Sequence, residues 1–302
     1  MILCAGLSSA WQRVLFFDAF RLGAVNRAVR VHEGPGGKAV NAASAVHALG
    51  GKVRLLTFAG GERGEEFRRN LERTGLPLRV VPAAAPLRVC TTLVEAGRAT
   101  ELVENMEPAR PEELRAFAEA FAEEAAPARA VVLGGSLPRG TPASFYRDLL
   151  GRTRSPVVLD ARGPELLAAL EARPFLVKPN RRELAETLGR DLSDDGALGA
   201  AMEELRERGA SWVVVTDGAG PVRVRGEGGA TVFLPPAVEV VNPVGSGDCL
   251  AGAAALGIAL GRDPLEAVRY GIAAAADRLG RILPSGLDAA RVSRLAERVR
   301  RA

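Results

Sequence analysis

Short apolar runs alternate with stretches of helical periodicity along most of the chain. Val53–Phe58, Ala130–Leu133, Val157–Asp160, Phe175–Val177 and Trp212–Thr216 are rich in valine and leucine, as strands buried on both faces are. Between and around them, apolar spacing predicts helices near 64–74, 142–151, 164–172, 181–188 and 198–208. Buried strands spaced by helices indicate βαβ units, and so an α/β fold built on a mostly parallel sheet. Ligands on such sheets bind beyond the carboxyl ends of the strands. Gly134-Gly135-Ser136, Asp160, Lys178-Pro179-Asn180 and Thr216-Asp217-Gly218 each follow a strand directly. They are therefore expected to converge on one sheet edge.

Two stretches break the alternation, at about 12–33 and 86–104; the second reads as a hairpin around Gly97. No internal repeat, low-complexity segment or Pro/Ser-rich linker marks a second independent domain, so one domain is expected over 1–302. The apolar N-terminus Met1–Leu7 lacks a basic leader and reads as a first strand rather than a signal peptide. No apolar run approaches the roughly 20 residues that span a bilayer.

Composition narrows the function classes. With 302 residues, 47% of them hydrophobic, the chain can bury one large core. The net charge of +4 is spread along helices beside glutamates, as in Glu203-Glu204-Leu205-Arg206-Glu207-Arg208, and aromatics are few. That is the pattern of solvated helix faces and argues against nucleic-acid binding. Cys4, Cys90 and Cys249 are scattered and odd in number, which fits a reducing cytoplasm. Only two histidines and no paired cysteines leave no zinc pattern. Only Lys38, Lys52 and Lys178 are lysine; every other basic residue is arginine. Two of these three compact point charges sit in glycine- or asparagine-bearing motifs, where arginine's wide fork is no substitute.

The richest motif is Asn242-Pro243-Val244-Gly245-Ser246-Gly247-Asp248, which runs into a small-residue apolar helix through Leu260. The first amides of a helix lack internal partners and carry the positive end of its dipole, so Gly245, Ser246 and Gly247 form a ready anion hole. Asp248 stands where a carboxylate could take a proton from a hydroxyl, with its pKa expected to be held low by the helix terminus. Alone, the block reads equally as a turn and a helix cap. Gly36-Gly37-Lys38 opens another helix, with Lys38 and Asn41 three residues apart on one face. Asn180 and Glu183, also three apart, suit water-mediated magnesium chemistry or a capping box. Thr216, Gly218 and Gly220 follow a strong strand and alone are an ordinary exit turn.

Taken together, the blocks Gly36–Asn41, Gly135–Pro138, Lys178–Glu183 and Asn242–Asp248 occur in the order of the ribokinase/PfkB kinases. The whole chain resembles that family, specifically its phosphosugar branch of 1-phosphofructokinase and tagatose-6-phosphate kinase type. The resemblance implies a ribokinase-like three-layer sandwich with a small β lid built from about 12–33 and 86–104. It implies Asp248 as catalytic base, with Gly36, Gly37, Lys38, Asn41, Arg88 and Ser136 holding the sugar or its phosphate. It further implies Lys178, Asn180, Thr216, Gly218 and Gly220 at the nucleotide, and Asn180 with Glu183 placing Mg²⁺ through water. The expected activity is ATP- and Mg²⁺-dependent phosphorylation of a hexose phosphate such as fructose 1-phosphate or tagatose 6-phosphate, in a homodimer paired through its lid.

One departure stands out. Where the family carries N-P-A-x-D, with an aspartate that holds substrate hydroxyls, this chain has Ser8-Ser9-Ala10-Trp11-Gln12. Gln12 can donate and accept hydrogen bonds but carries no charge. That keeps open a kinase of another sugar or a nucleoside, and a weakly catalytic sugar-phosphate-binding regulator. A nicotinamide dehydrogenase is disfavoured because Gly245-Ser246-Gly247 lacks the third glycine at Leu250. Lys38 is followed by alanine, which excludes a standard P-loop, and no G-x-S-x-G elbow supports a hydrolase.

Overall fold

The computed structural model describes residues 1–95, 98–283 and 286–302. β1 (Ile2–Gly6) enters the middle of the main sheet, and β2 (Ala10–Phe17) and β3 (Arg30–Gly36) leave it to start a second sheet. α1 (Lys38–Ala48) leads back to β4 (Val53–Ala59), α2 (Gly61–Arg73) and edge strand β5 (Leu78–Pro82). β6 (Val89–Glu95) and β7 (Arg98–Val103) complete the second sheet, and α3 (Pro111–Ala125) follows. The chain then alternates through β8 (Ala130–Gly134), α4 (Phe145–Leu150), β9 (Val157–Asp160), α5 (Gly163–Leu170) and β10 (Leu176–Val177). Next come α6 (Arg181–Leu188), α7 (Asp195–Glu207), β11 (Trp212–Val215), β12 (Val222–Gly226) and β13 (Gly229–Leu234). Helices α8 (Ser246–Ala259), α9 (Pro264–Leu279) and α10 (Ala289–Arg298) precede a short final strand, β14 (Arg300–Arg301).

Among the described residues ten strands form the main sheet in the order β14-β13-β12-β11-β10-β9-β8-β1-β4-β5. The pairings from β5 through β11 are parallel, and β12, β13 and β14 add antiparallel strands at one edge. Alternation along β1 feeds two cores. Ile2 and Cys4 pack on the face of α1, α8 and α9, while Leu3 and Ala5 pack on the face of α3 to α7. Helices on both faces make the three-layer α/β sandwich expected of a ribokinase-like fold. Among the described residues no helix is long and apolar enough to cross a membrane.

The smaller sheet has the order β3-β2-β6-β7. Its outer pairs are antiparallel, and its central β2–β6 pair is parallel, with Gln12 opposite Cys90. The β6–β7 pairing matches the expected hairpin; the turn expected around Gly97 lies outside the described residues. Its own core is thin: Val14, Phe16 and Val94 against partly buried Val241, Ile282 and Leu283.

Small residues set the spacing of the helices that carry the site. A side-chain carbon on Gly252 of α8 would lie 2.5 Å from the Ala42 carbonyl of α1, and one on Gly271 of α9 would lie 2.7 Å from the Leu250 carbonyl. Backbones that touch this closely leave no room for a methyl group, and overpacking there costs about 1–3 kcal/mol. The contact brings the first turns of α1 and α8 side by side.

Candidate functional site

Gly245 precedes α8 with φ of +82°, in the left-handed region that glycine adopts without strain. Its conformation turns the chain so that Ser246, Gly247 and Asp248 open the helix, and the Gly247 and Asp248 amides have no backbone acceptor among the described residues. Unpaired amides at a positive helix end are an anion site. The Asp248 carboxylate accepts a bond from Asn41 Nδ2 at 2.7 Å, across the α1–α8 contact. Its pKa runs opposite to the expectation from the helix terminus. Loss of solvent pushes it above the ordinary aspartate value and the nearby Asp160 charge adds to this, against the opposing pull of Lys38, Asn41 and Lys178. Local desolvation outweighs the helix dipole here.

Behind Asp248 lies a buried charge cluster. Lys38 Nζ is 2.5 Å from Asp160 Oδ1, and Lys178 Nζ is 3.0 Å from Asp160 Oδ2. Asp160 and Lys178 are almost fully buried, while Lys38 is partly open. Burial alone would raise the Asp160 carboxyl, but Lys178 and Lys38 overcome it and hold the pKa down to about 2. Burial likewise pulls the Lys38 ammonium down, yet Asp160, Asp248 and Glu183 together raise it above its ordinary value. Lys38, Gly134, Asp160 and Asp248 line one narrow, closely packed crevice. Two of the three lysines in the chain thus meet on one carboxylate at the carboxyl edge of the sheet. In the sequence, Asp160 is one of several residues that follow a strand, and nothing sets its role; its only signal is a lone carboxylate closing the apolar run Val157–Leu159.

Lys178 arrives at the end of β10, and the next residues cap α6. Asn180 Oδ1 accepts from the Glu183 amide at 2.8 Å, and Glu183 Oε2 accepts from the Asn180 amide at 2.9 Å. The capping box is therefore formed. It leaves Glu183 Oε1 facing inward, 3.9 Å from Lys38 Nζ. Among the described residues no group of three or more acidic, histidine or cysteine side chains could hold a metal directly. One inward carboxylate oxygen fits a magnesium ion that keeps its waters and is carried on phosphates; direct chelation by Asn180 together with Glu183 does not fit, because each side chain is turned onto the other's backbone. Thr216 pairs with Asn180 in an isolated parallel bridge, and its carbonyl accepts from the Arg181 amide at 2.9 Å. Gly218 follows with φ of +55°, and the Gly220 amide closes a tight turn on the Asp217 carbonyl at 2.7 Å. The two blocks thus form one ledge beside Lys178.

On the other side, Gly37 has φ of +114°, and a side-chain carbon there would lie 2.7 Å from the Ser8 carbonyl. Only glycine lets β3 of the smaller sheet pass into α1 at this point. Gln12 is nearly buried, with Nε2 donating to Thr92 Oγ1 at 2.8 Å, while Gly36 abuts its side chain. Arg88 is tied to backbone carbonyls: Nε to Ser9 at 3.4 Å, Nη2 to Ser8 at 3.3 Å and Nη1 to Glu104 at 3.0 Å. A guanidinium has five N–H donors, and two of these have no partner among the described residues. Ser9, Arg88 and Pro138, with Phe58, Leu87 and Met106, line a small hollow of about 30 Å³. Ser136 is exposed at the mouth of the β8 loop.

The model of the pfkB family carbohydrate kinases matches residues 3–282. Among solved structures, phosphofructokinase-2 from Escherichia coli in complex with potassium superposes with a TM-score of 0.90 at 25% identity, covering 98% of each chain. A possible 1-phosphofructokinase from Thermotoga maritima gives 0.91 at 20% identity, over 100% of this chain and 98% of that one. Ribokinase from Thermotoga maritima gives 0.76 at 22% identity, over 98% and 99%. With a family match along nearly its whole length and this fold, the chain belongs to the pfkB family of carbohydrate kinases, phosphotransferases that act on a sugar hydroxyl.

Proposed function

We propose that the protein transfers the γ-phosphoryl group of ATP to a hydroxyl of a hexose phosphate, giving a bisphosphate and ADP. The observation that carries this reading is Asp248, half-buried at the open first turn of α8 and facing Lys38 and Asp160 across one cleft. In the proposed step Asp248 accepts the hydroxyl proton as the oxygen bonds to the γ-phosphorus, and the bond from that phosphorus to the bridging oxygen breaks. The Gly245–Gly247 backbone receives the phosphoryl oxygens, and Lys38 and Lys178 balance the charge that builds between the two phosphates. Such a loose transition state is served chiefly by positioning and electrostatics. A base with a pKa raised by desolvation suits that task. Magnesium bound to the nucleotide would supply further charge neutralisation, with Glu183 oriented toward its waters.

The acceptor is proposed from the lid side. Arg88, Lys38 and Ser136 would hold the phosphate already on the sugar, with Gly36, Gly37 and Asn41 at the ring and Thr216, Gly218, Gly220 and Asn180 at the nucleotide. Phosphofructokinase-2 from Escherichia coli has been solved in complex with fructose-6-phosphate, and at 26% identity its structure covers 98% of each chain with a TM-score of 0.86. Gln12 favours a second reading, a different sugar or nucleoside, because its Nε2 already donates to Thr92 and its carbonyl oxygen offers substrate hydroxyls an acceptor without charge. We further propose a homodimer through the lid, whose Leu22 and Val25 are 91% and 82% exposed; light scattering of Val25→Glu against wild type would show the dimer lost.

An ADP-release assay over fructose 1-phosphate, fructose 6-phosphate, tagatose 6-phosphate, their unphosphorylated parents and nucleosides tests the assignment. Preference for a phosphorylated sugar is expected. Equal turnover of parent and phosphate moves the conclusion to the second reading.

A further inference from the structure

Arg278, in the last turn of α9, is the largest fully buried side chain of the described molecule. Its Nη1 donates to two backbone carbonyls, Arg281 at 2.6 Å and Asn242 at 3.3 Å. Its Nε and Nη2 find no partner among the described residues. The adjacent buried carboxylate, Asp277, is engaged instead by Arg281 at 2.8 Å and Arg291 at 3.2 Å. Arg278 is therefore a buried cation compensated by peptide dipoles, including those at the end of its own helix. Burial lowers its pKa, and the charge on Asp248 pulls the other way. A buried charge without a carboxylate partner is costly, so its position calls for a reason other than stability.

The reason lies in what it touches. The segment leading into the anion loop hangs on the end of α9. The Val241 and Asn242 amides donate to the Leu279 carbonyl at 2.8 and 3.2 Å. The Asn242 side chain donates to the Ile282 carbonyl at 2.8 Å and accepts from the Val244 amide at 3.0 Å. Arg278 closes this lattice by clamping the Asn242 and Arg281 carbonyls together. Three residues later the chain reaches Gly245 and the open amides of α8.

We infer that Arg278 is a positioning residue for phosphoryl transfer: its guanidinium holds the Asn242 and Arg281 carbonyls in register and so fixes the backbone that enters the Gly245–Asp248 turn. The inference rests on the reading of that turn as the phosphoryl site. Removing the clamp leaves the substrate pockets intact but lets the anion-hole amides drift from the position they hold in the transition state. A misplacement near 1 Å suffices to lower kcat by up to about 10²-fold.

The test uses Arg278→Met and Arg278→Ala in the full chain, beside wild type and Asp248→Asn. Arg278→Met fills the space without a charge, so its Tm is expected to equal or exceed that of wild type. Its kcat is expected to fall about tenfold or more with sugar KM within about twofold of wild type. Arg278→Ala leaves a space between two carbonyls, and millimolar guanidinium chloride should restore part of its kcat where choline chloride at equal ionic strength does not. Amide exchange at Val244 and Gly245 should quicken in Arg278→Met. Wild-type kcat in Arg278→Met overturns the inference. So does a loss of rate that only tracks a loss of folded protein, or rescue by choline as good as by guanidinium. Absence of sugar-kinase turnover in wild type defeats the functional reading instead, and the exchange rates then still decide whether Arg278 holds the turn.

Discussion

The sheet edge and the lid handle polar groups in opposite ways. At the edge, Lys38 and Lys178 meet on Asp160 with short contacts, and Asp248 is held by Asn41 beside them, on the ends of β9 and β10 and the first turns of α1 and α8. In the lid, three buried apolar residues form the core, Leu22 and Val25 stand exposed, and Gln12 makes one strong polar bond. The edge is over-determined: Lys38, Asp160 and Lys178 fix one another, Asn41 fixes Asp248, and backbones are in contact at Gly252 and Gly271. The smaller sheet is under-determined, and under the proposed function groups there can change without disturbing the phosphoryl end. In the proposed reading, chemistry sits on the rigid side and selectivity on the soft side.

The largest effect is expected at the centre of the rigid side. Asp248→Asn should cut kcat by about 10²–10⁴ with nucleotide affinity little changed, measured by single-turnover assay and nucleotide titration. The same substitution should raise stability. An aspartate whose folded pKa lies above its unfolded value is a net cost once ionised, present at neutral pH and relieved as pH falls. A rise in Tm together with the loss of kcat would mark a group held for function. The acid limb of wild-type kcat should correspondingly lie above the ordinary aspartate range, because activity needs the carboxylate and is lost as pH drops through a raised pKa. A limb at or below that range would remove Asp248 as the titrating base.

Asp160 carries the opposite sign. Its pKa of about 2 lies below the unfolded value, so its contribution is present above the unfolded pKa and fades as pH falls through about 2. Asp160→Asn leaves Lys38 and Lys178 facing one another with no anion between them. Removing one partner of a buried ion pair costs about 3–5 kcal/mol, and denaturant unfolding near neutral pH should show a loss of that order. A loss within error of zero would mean that the lysines relax into solvent and the edge is softer than its contacts imply.

Moving toward the lid, Arg88 is expected to matter less and more selectively. Its charge-assisted bonds to a substrate phosphate should amount to roughly 1.5–3 kcal/mol. Arg88→Lys keeps the charge and loses the fork, so it should lower kcat/KM for a phosphorylated sugar and spare the unphosphorylated parent. Equal losses on both would show that Arg88 serves only to join Ser8, Ser9 and Glu104.

How far this division can be read from sequence follows from the same physics. Valine-rich runs such as Val157–Asp160 and Trp212–Val215 declare buried strands, and the carboxyl-edge rule then gathers Lys178, Asn180 and Thr216 without a structure. Helix α6 and its capping box were legible to the residue at Arg181–Leu188, because Asn180 and Glu183 fix the start locally. The antiparallel strands β12 and β13, helices α3, α9 and α10, and the edge strands β5 and β14 carry no such declaration, since each is stabilised by partners distant in sequence. Asp160, Asn242 and Arg278 are joined to their partners by contacts spanning 18 to 122 and 36 to 40 residues in the first two cases, or by peptide carbonyls, which have no sequence signature. The raised pKa of Asp248 was hidden for a related reason: a helix terminus is visible in sequence, whereas the desolvation that overrides it depends on tertiary packing.

Gln12 should show the smallest effect and the one that most sharpens the contrast. Its Nε2 donates to Thr92 Oγ1 at 2.8 Å, and Gly36 packs against its Cβ. An aspartate at this position is one carbon shorter but can accept from the Thr92 hydroxyl, so the lid bond can survive with its direction reversed. What changes is the offer to substrate hydroxyls: a charged acceptor makes bonds about twice as strong as a neutral amide does. Gln12→Asp is therefore expected to shift kcat/KM toward fructose 1-phosphate or tagatose 6-phosphate by about a factor of ten, near 1.4 kcal/mol, while leaving the acid limb and Tm close to wild type. Competition between the best wild-type substrate and each hexose phosphate measures the shift directly. If wild type already turns over either hexose phosphate robustly and Gln12→Asp brings no gain, other lid groups supply the missing acceptor, and specificity is spread over the soft side instead of resting on one residue. If Gln12→Asp instead disturbs the acid limb, the lid is coupled to Asp248 and the two regions are not independent.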